Sequence, residues 1–173
     1  MLVIAATERE LAGLDGFVCG VGPVDAAAAT ARVLAERAPG AVLHVGLAGA
    51  HAFSEPELVI GSDAVYCDPD APLVVARARP DDAMLERARA AFPHARVTTI
   101  GTSARVGGTT GCEVEGMEGF AVLRACELAG IPVLEVRAVV NEISEQDRTR
   151  WRFDDGIALL REALPTLVEA LRA

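Results

Sequence analysis

Aromatic residues are scarce in this sequence, and its cysteines and histidines lack any metal-binding arrangement. Only 4% of the 173 residues are aromatic, whereas 51% are hydrophobic, with alanine, valine and leucine supplying most of that bulk. This composition excludes a disordered chain and is typical of buried strands covered by helices of small residues. The four cysteines show no CxxC spacing, and the three histidines do not cluster with them. We therefore expect reduced, mostly buried thiols and no bound metal.

An excess of positive charge and long apolar runs are also lacking. The net charge is −9, and the 16 basic residues form no long run. The chain should therefore repel the phosphate backbone that attracts most nucleic-acid-binding proteins. No apolar run approaches the roughly 20 residues that span a bilayer, and the first ten residues contain no basic leader of the signal-peptide kind. We expect a cytoplasmic protein that binds neither nucleic acid nor membrane.

Short apolar runs alternate with helical patterns along the chain. Strands are predicted at 2–6, 41–50, 57–68, 73–78, 95–101 and 133–140, with a brief strand at the start of 17–40. Helices are predicted within 17–40, at 81–91, at about 117–129 and at 154–173, where Pro165 could kink or break the last helix. This alternation predicts one α/β domain of residues 1–173, with three layers: a central mixed, largely parallel sheet flanked by helices.

Polar or glycine-rich features follow several of the predicted strands. In open α/β sheets, ligands bind outside the carboxyl ends of the strands. The regions at those ends are Glu8 with Glu10, the segment "GLAGA" at 46–50, the glycine- and threonine-rich loop at 101–116, and Asn141. The sequence therefore predicts that the functional site is assembled from these four regions.

Glu8 and Glu10 come directly after the first buried strand. A carboxylate in that place can act as a general base that takes a proton from water. Acidic residues are also common at the start of a short helix, where they complement its dipole. Both interpretations stay open for these two residues from their position alone.

Glu118 lies between a glycine-bearing loop and an apolar helix. An ionised carboxylate is costly to bury unless hydrogen bonds satisfy it, and the hydroxyl groups of a sugar would provide such bonds. The alternative is that Glu118 only complements the positive end of the helix dipole. The sequence alone does not decide between these two roles.

Asn141 follows an apolar strand, and its amide presents a donor and an acceptor side by side. A 6-oxopurine offers the O6 acceptor next to N7, which gains a proton as the base departs. One amide could therefore bind both atoms. The alternative is an ordinary turn asparagine.

Two further motifs have structural interpretations. In "GVGPVDA" the third glycine of a dinucleotide fingerprint is replaced by Asp25, and no GxxxxGK[ST] loop exists, so a tight turn is favoured and no nucleotide cofactor is expected. The segment "DRTRWRF" at 147–153 contains three arginines and the only tryptophan. It is typical of a packed indole among solvated charges, although an arginine there could pair with a substrate carboxylate.

Several segments, taken in order, resemble one enzyme superfamily. They are "IAATERELAGL", "CGVGPVDAA", "VLHVGLAGA", "SDAVYCD" and "GMEGFAVLRACELAGIPVLEVRAVVN". Over nearly the whole chain they resemble the nucleoside phosphorylase and nucleosidase superfamily, which includes methylthioadenosine/S-adenosylhomocysteine nucleosidases. The last segment, followed by "DRTRW", looks most like futalosine hydrolases, which release hypoxanthine from futalosine in an alternative menaquinone pathway.

The resemblance implies a nucleoside phosphorylase-like fold, a homodimer and hydrolysis of a purine nucleoside without cofactor or metal. By position, Glu10 matches the general base for the attacking water and Glu118 the acid that binds the ribose hydroxyls. Asn141 matches the residue that assists the leaving base, which is an aspartate in the adenine-specific enzymes. The resemblance also places four residues against the substrate: Ala48, Gly49, Gly116 and Met117.

The chain departs from the superfamily pattern in two places. Glu10 lies only ten residues before Gly20, where relatives usually insert a strand pair, so a trimmed sheet is expected. The base-stacking aromatic residue of the adenine enzymes is replaced near Arg105.

Three alternative functions remain open: a methylthioadenosine/S-adenosylhomocysteine-type nucleosidase, a purine nucleoside phosphorylase and an inactive nucleoside-binding protein. Phosphorolysis is disfavoured because "GVGPVDA" and "VGLAGA" contain no arginine to hold a phosphate.

Overall fold

A computed structural model describes residues 1–108 and 111–172 of the chain. Its strands are β1 (Leu2–Ala5), β2 (Phe17–Val18), β3 (Val42–Ala50), β4 (Glu57–Tyr66), β5 (Arg77–Ala78), β6 (Arg96–Thr102), β7 (Val114–Gly116) and β8 (Val133–Glu142). The α-helices are α1 (Pro23–Arg37), α2 (Asp82–Ala91), α3 (Gly119–Ala129) and α4 (Phe153–Arg172). Two short 3₁₀ helices span Glu8–Leu11 and Arg148–Arg150.

The strands form one mixed sheet that closes on itself at one end. Its order is β2-β1-β3-β7-β6-β4-β5, and β8 pairs with both β3 and β4. Five strands, β3, β8, β4, β6 and β7, therefore complete a ring. The pairs β1–β2, β1–β3, β3–β8, β4–β6 and β6–β7 are parallel, and the other three are antiparallel. The predicted mixed, largely parallel sheet is confirmed.

Helices cover both faces of this sheet. Helix α4 packs Leu160, Leu164 and Leu167 against one face, together with α2. Helices α1 and α3 pack against each other and the other face, where Val33 and Leu123 are fully or almost fully buried. The three-layer arrangement expected from the alternating pattern is thus confirmed.

The structure corrects several predicted element boundaries. The strand predicted at 73–78 is only the two-residue β5, and Leu73 is 97% exposed. The predicted loop at 101–116 contains the three-residue strand β7, while its residues 109 and 110 lie outside the described residues.

The last helix is continuous through Pro165, so the suggested break is wrong. Pro165 lies on the exposed face of α4, where water can satisfy the carbonyl that its missing N–H leaves free. Residue 173, the predicted end of this helix, lies outside the described residues. Among the residues that are described, none of the helices combines the length and apolar character needed to cross a membrane.

Candidate active site

All seven residues predicted for the site line one cavity of about 750 Å³. They are Glu10, Ala48, Gly49, Gly116, Met117, Glu118 and Asn141. The cavity opens at the edge of the sheet where the parallel strands β1, β3 and β8 have their carboxyl ends. Its volume is within the range of roughly 300–1,000 Å³ typical of small-molecule sites. Glu8, the other acid after β1, is exposed and does not line the cavity.

Glu10 is almost fully buried, and both oxygens of its carboxylate are held in place. Thr7 caps the 3₁₀ helix, and its hydroxyl donates to Oε2 of Glu10 over 2.8 Å. The backbone N–H of Leu47, in β3, donates to Oε1 over 3.0 Å. The carboxylate therefore has a fixed orientation toward the cavity and keeps lone pairs that can accept a proton from water.

Glu118 immediately precedes α3 and is only 4% exposed. Its side chain makes no capping hydrogen bond to the helix. Instead, Oε1 accepts from the backbone N–H of Gly22 over 3.0 Å, and Oε2 accepts from Nη1 of Arg137 over 3.3 Å. These contacts favour the binding-pocket interpretation over simple helix-dipole complementarity.

The glycine turn before α1 takes part in the site. Gly22 has φ of 92°, a backbone conformation that glycine adopts without steric cost, and this turn presents its N–H to Glu118. Sequence analysis predicted only a tight packing turn here. The hydrogen bond joins residues 96 positions apart, so no local pattern could reveal it.

Arg137 is a fully buried cation that sequence analysis did not single out. Its Nε donates to Glu135 over 2.8 Å, and its Nη2 lies 2.7 Å from Nε2 of His44. Burial alone would lower the pKa of Arg137, but the surrounding carboxylates of Glu135, Glu118 and Glu10 raise it overall. The signal that could have revealed this cluster is the pair of opposite charges at 135 and 137 within an apolar strand.

His44 is neutral in this cluster. Burial and, next, the Arg137 charge hold the pKa of His44 well below its usual range. Its Nδ1 lies 3.1 Å from the carbonyl oxygen of Ile4, to which only a protonated nitrogen can donate. Nε2 is then the acceptor that faces Arg137.

Asn141 lies inside β8 and is 4% exposed, so it is not a turn residue after the strand. A β-bulge between Ala48 and Gly49 brings Gly49 opposite Asn141. The Nδ2 group of Asn141 donates to the carbonyl oxygen of Glu142 over 2.8 Å. That bond uses one N–H and leaves a second N–H and Oδ1 for a ligand.

Aromatic and basic residues form the outer wall of the cavity, lined by Arg105, Arg148, Trp151 and Phe153. The Arg148 guanidinium lies 5.5 Å from the centre of the Trp151 ring, and the indole N–H donates to the carbonyl of Glu145 over 3.0 Å. Trp151 also packs against Phe153, with 5.4 Å between ring centres. The predicted packed indole is confirmed, and Arg148 is exposed beside it.

In the described part of the chain, no cluster of three or more histidine, cysteine or acidic side chains could hold a metal ion. The four cysteines are unpaired, and three of them are buried. Burial raises the pKa of Cys126 to about 12 and, with help from Glu118, that of Cys19 to about 12, so both thiols are protonated at neutral pH.

The comparisons with known proteins agree on one superfamily. The family model described as the phosphorylase superfamily matches residues 16–173. A futalosine hydrolase of Streptomyces coelicolor is 33% identical over 195 aligned positions, which cover 93% of this chain and 81% of that protein.

Solved structures show the same fold. An S-adenosylhomocysteine nucleosidase of Streptococcus pyogenes superposes with a TM-score of 0.85 at 22% identity, covering 98% of this chain and 95% of the other. A futalosine hydrolase mutant of Helicobacter pylori superposes with a TM-score of 0.84 at 15% identity, covering 96% and 97% of the two chains.

Proposed function

Because the chain belongs to the phosphorylase superfamily, as a nucleosidase that hydrolyses N-glycosidic bonds, we propose that its substrate is a 6-oxopurine nucleoside, futalosine. Hydrolysis of futalosine releases hypoxanthine. The observation that carries this proposal is the Asn141 amide, which shares one cavity with the buried carboxylates of Glu10 and Glu118. The 33% identity to a futalosine hydrolase supports the same substrate.

Glu10 is the general base for the attacking water. Its two hydrogen bonds, from Thr7 and Leu47, fix the carboxylate, so the water that it binds has a defined position. As the water attacks the anomeric carbon of the ribose, Glu10 takes its proton. Preorganisation of this kind lowers the barrier because the carboxylate need not reorient during the reaction.

Glu118 binds the ribose hydroxyls. The bonds from Gly22 and Arg137 satisfy part of its carboxylate and leave lone pairs for hydroxyl donors in the cavity. Departure of the base creates positive charge on the sugar, in an oxocarbenium-like transition state. A negative charge held beside the ribose stabilises that state more than the neutral substrate.

Asn141 assists the leaving purine. Its free N–H donates to O6. N7 takes a proton from solvent water as the bond to the ribose breaks, and Oδ1 then accepts a hydrogen bond from the new N7–H. An adenine presents an amino group in place of O6, and two donors facing each other would repel. The amide therefore favours hypoxanthine over adenine as the leaving base.

Hydrolysis is favoured over phosphorolysis because Arg137, inside the cavity wall, and Arg9, at its surface, are already engaged in ion pairs. A phosphorylase must bind a phosphate dianion beside the sugar, normally with arginines. The charge of Arg137 is already offset by Glu118 and Glu135, and Arg9 pairs with Asp154 at the surface. Neither guanidinium is free to hold phosphate next to the ribose.

We also propose a cytoplasmic homodimer that acts in menaquinone biosynthesis. Val21, which lines the cavity, and Val24, on α1, are exposed apolar residues that a second copy could cover. Light scattering should give twice the mass of one chain. A fully active monomer would contradict the dimer.

The decisive experiment is chromatography of the purines released from futalosine, inosine and methylthioadenosine, with and without phosphate. We expect fastest release of hypoxanthine from futalosine, at a rate independent of phosphate. Preferential release of adenine would favour a methylthioadenosine-type nucleosidase. Formation of a sugar 1-phosphate would show a phosphorylase.

A further inference from the structure

Another buried carboxylate, Glu135, lies behind Glu10 and Glu118 and does not itself line the cavity. Its Oε1 accepts from Arg137 over 2.8 Å, but its Oε2 has no hydrogen-bond partner among residues 1–108 and 111–172. A buried carboxylate oxygen in that state costs free energy. A hydrocarbon side chain would fill the space without this cost, so packing alone does not account for Glu135.

Two glycines leave space for the ion pair of Glu135 and Arg137. A Cβ on Gly119, the first residue of α3, would overlap the Glu135 carboxylate. A Cβ on Gly46, in β3, would overlap the Arg137 guanidinium. Two elements from different parts of the chain thus omit a side chain where the charged pair lies.

Titratable groups from five parts of the fold surround Arg137. They are Glu135 in β8, Glu118 before α3, Glu10 in the first 3₁₀ helix, His44 in β3 and Cys19 after β2. His44 and Cys19 are uncharged at neutral pH, because burial lowers the pKa of the histidine and raises that of the thiol. Burial raises the pKa of Glu135 above its usual value, and the Arg137 charge and hydrogen bond oppose that rise. The ion pair of 2.8 Å makes Glu135 the third carboxylate, with Glu118 and Glu10, that shares the Arg137 cation.

We propose that Glu135 and His44 are positioning residues that act through Arg137. Glu135 offsets part of the guanidinium charge, and His44 supplies an uncharged acceptor for Nη2. Nη1 is thereby held against Glu118, and less positive charge acts on Glu10. Without Glu135, more of the Arg137 charge would act on the other carboxylates, and Glu10 would be a weaker general base. This inference rests on the proposed function, because it concerns the same cavity.

Glu135→Gln tests the charge directly, since it keeps the shape and the acceptor oxygen. We expect kcat to fall about tenfold with KM nearly unchanged. The acid limb of the kcat/KM profile should move to lower pH by about half a unit, because more of the Arg137 charge then acts on the carboxylates of the cavity. Glu127→Gln, on the exposed side of α3, is the matched control and should leave the profile unchanged.

The double variant Glu135→Val with Gly119→Ala removes the same charge by another route. The added Cβ at 119 occupies space that the carboxylate leaves, so this protein should fold and show the same shift of the acid limb. Gly119→Ala alone retains the overlap and should unfold at a lower temperature. An unchanged acid limb in either charge-free variant that folds would overturn the proposal. If neither folds, Glu135 is only a structural requirement and the proposal is equally wrong.

His44 is tested by a pair of substitutions. His44→Gln can still offer an oxygen to Arg137, whereas His44→Leu cannot. We expect the glutamine variant to keep most of the wild-type kcat and the leucine variant to lose about tenfold. Equal losses would remove His44 from the proposal. The pH profiles and kcat values of all these variants are measured with whichever nucleoside the wild-type enzyme hydrolyses. They therefore test this inference even if that nucleoside is not futalosine. A wild type that hydrolyses none would instead overturn the proposed function, and this inference with it.

Discussion

The inner and outer ends of the cavity are built differently. At the inner end, each of the four carboxylate oxygens of Glu10 and Glu118 accepts a hydrogen bond from the protein. At the outer end, Arg105 and Arg148 are exposed, and Arg148 is supported by the face of Trp151. The inner groups are held by several hydrogen bonds, whereas the outer arginines are exposed to solvent.

This difference separates two tasks. Proton transfer and stabilisation of charge require atoms placed within a fraction of an ångström, which buried, multiply bonded groups achieve. Discrimination among substituents at the distant end of a nucleoside tolerates mobile, solvated side chains. Changes at the inner end should therefore reduce kcat, and changes at the outer end should alter KM.

Glu10→Gln should give the largest effect. The amide can keep both hydrogen bonds, since its oxygen accepts from Leu47 and its nitrogen donates to Thr7, but it cannot take a proton from water. We expect kcat to fall on the order of 10³-fold with substrate affinity largely retained. Single-turnover release of base and calorimetric binding would measure the two quantities separately.

Glu8→Gln is the matched control for this substitution. Glu8 lies on the same short helix, is exposed and does not line the cavity, so its variant should keep wild-type kinetics. Equal losses at positions 8 and 10, or full activity in Glu10→Gln, would remove the general-base assignment.

Asn141→Asp tests the recognition of the base. A carboxylate accepts hydrogen bonds but cannot donate to O6, and it can accept from the amino group of adenine. The ratio of kcat/KM for adenine over hypoxanthine nucleosides should rise about 10² to 10³-fold, which corresponds to one mismatched buried polar pair. If competition assays give the wild-type ratio, the Asn141 amide does not select the leaving base.

Gly22→Ala compares an alanine at positive φ beside the cavity with an alanine at positive φ elsewhere in the fold. Gly22 and Gly130 have φ of 92° and 68°, and an added Cβ would meet no atom within 4 Å at either position. Gly130 has ψ of 28° and lies in the left-handed region, so its alanine variant should lose about 1 kcal/mol of unfolding free energy. Gly22 has ψ of 160°, a combination that is essentially restricted to glycine, so its alanine variant should lose more, about 1–3 kcal/mol. Only Gly22→Ala should also lower kcat, about tenfold, because its N–H bonds to Glu118. Identical kinetics in the two variants would show that this bond has no part in catalysis.

The sequence predicted the parts of the fold that have long local signals. The apolar runs of β3, β4 and β8 and the periodic helices were found within a few residues of their bounds. The closed ring was not predicted, because the pairing of β7 with β3 joins segments about 65 positions apart and β7 has only three residues. Long-range pairing leaves no trace in a short window of sequence.

The candidate site shows the same division. The location of Glu118 between a glycine loop and an apolar helix left two interpretations open, a buried hydrogen-bonded carboxylate or a helix-dipole complement, and the structure shows it buried. Arg137, Glu135 and His44 were missed because each lies inside an apolar strand, where one or two polar side chains do not form a recognisable motif. These residues form a cluster only because β3, β8 and the segment before α3 come together in the folded chain, which a local sequence pattern does not reveal.

Arg148→Ala should give the smallest effect and is specific to the outer end. Arg148 lines the cavity beside Trp151, so its loss should raise KM for futalosine about three- to tenfold with kcat nearly unchanged. KM for inosine, which lacks an extended 5′ substituent, should change less. Arg150→Ala is the matched control, because Arg150 pairs with Glu145 and does not line the cavity. A fall in kcat that is equal for both nucleosides would place Arg148 with the inner catalytic groups and erase the proposed distinction between the two ends.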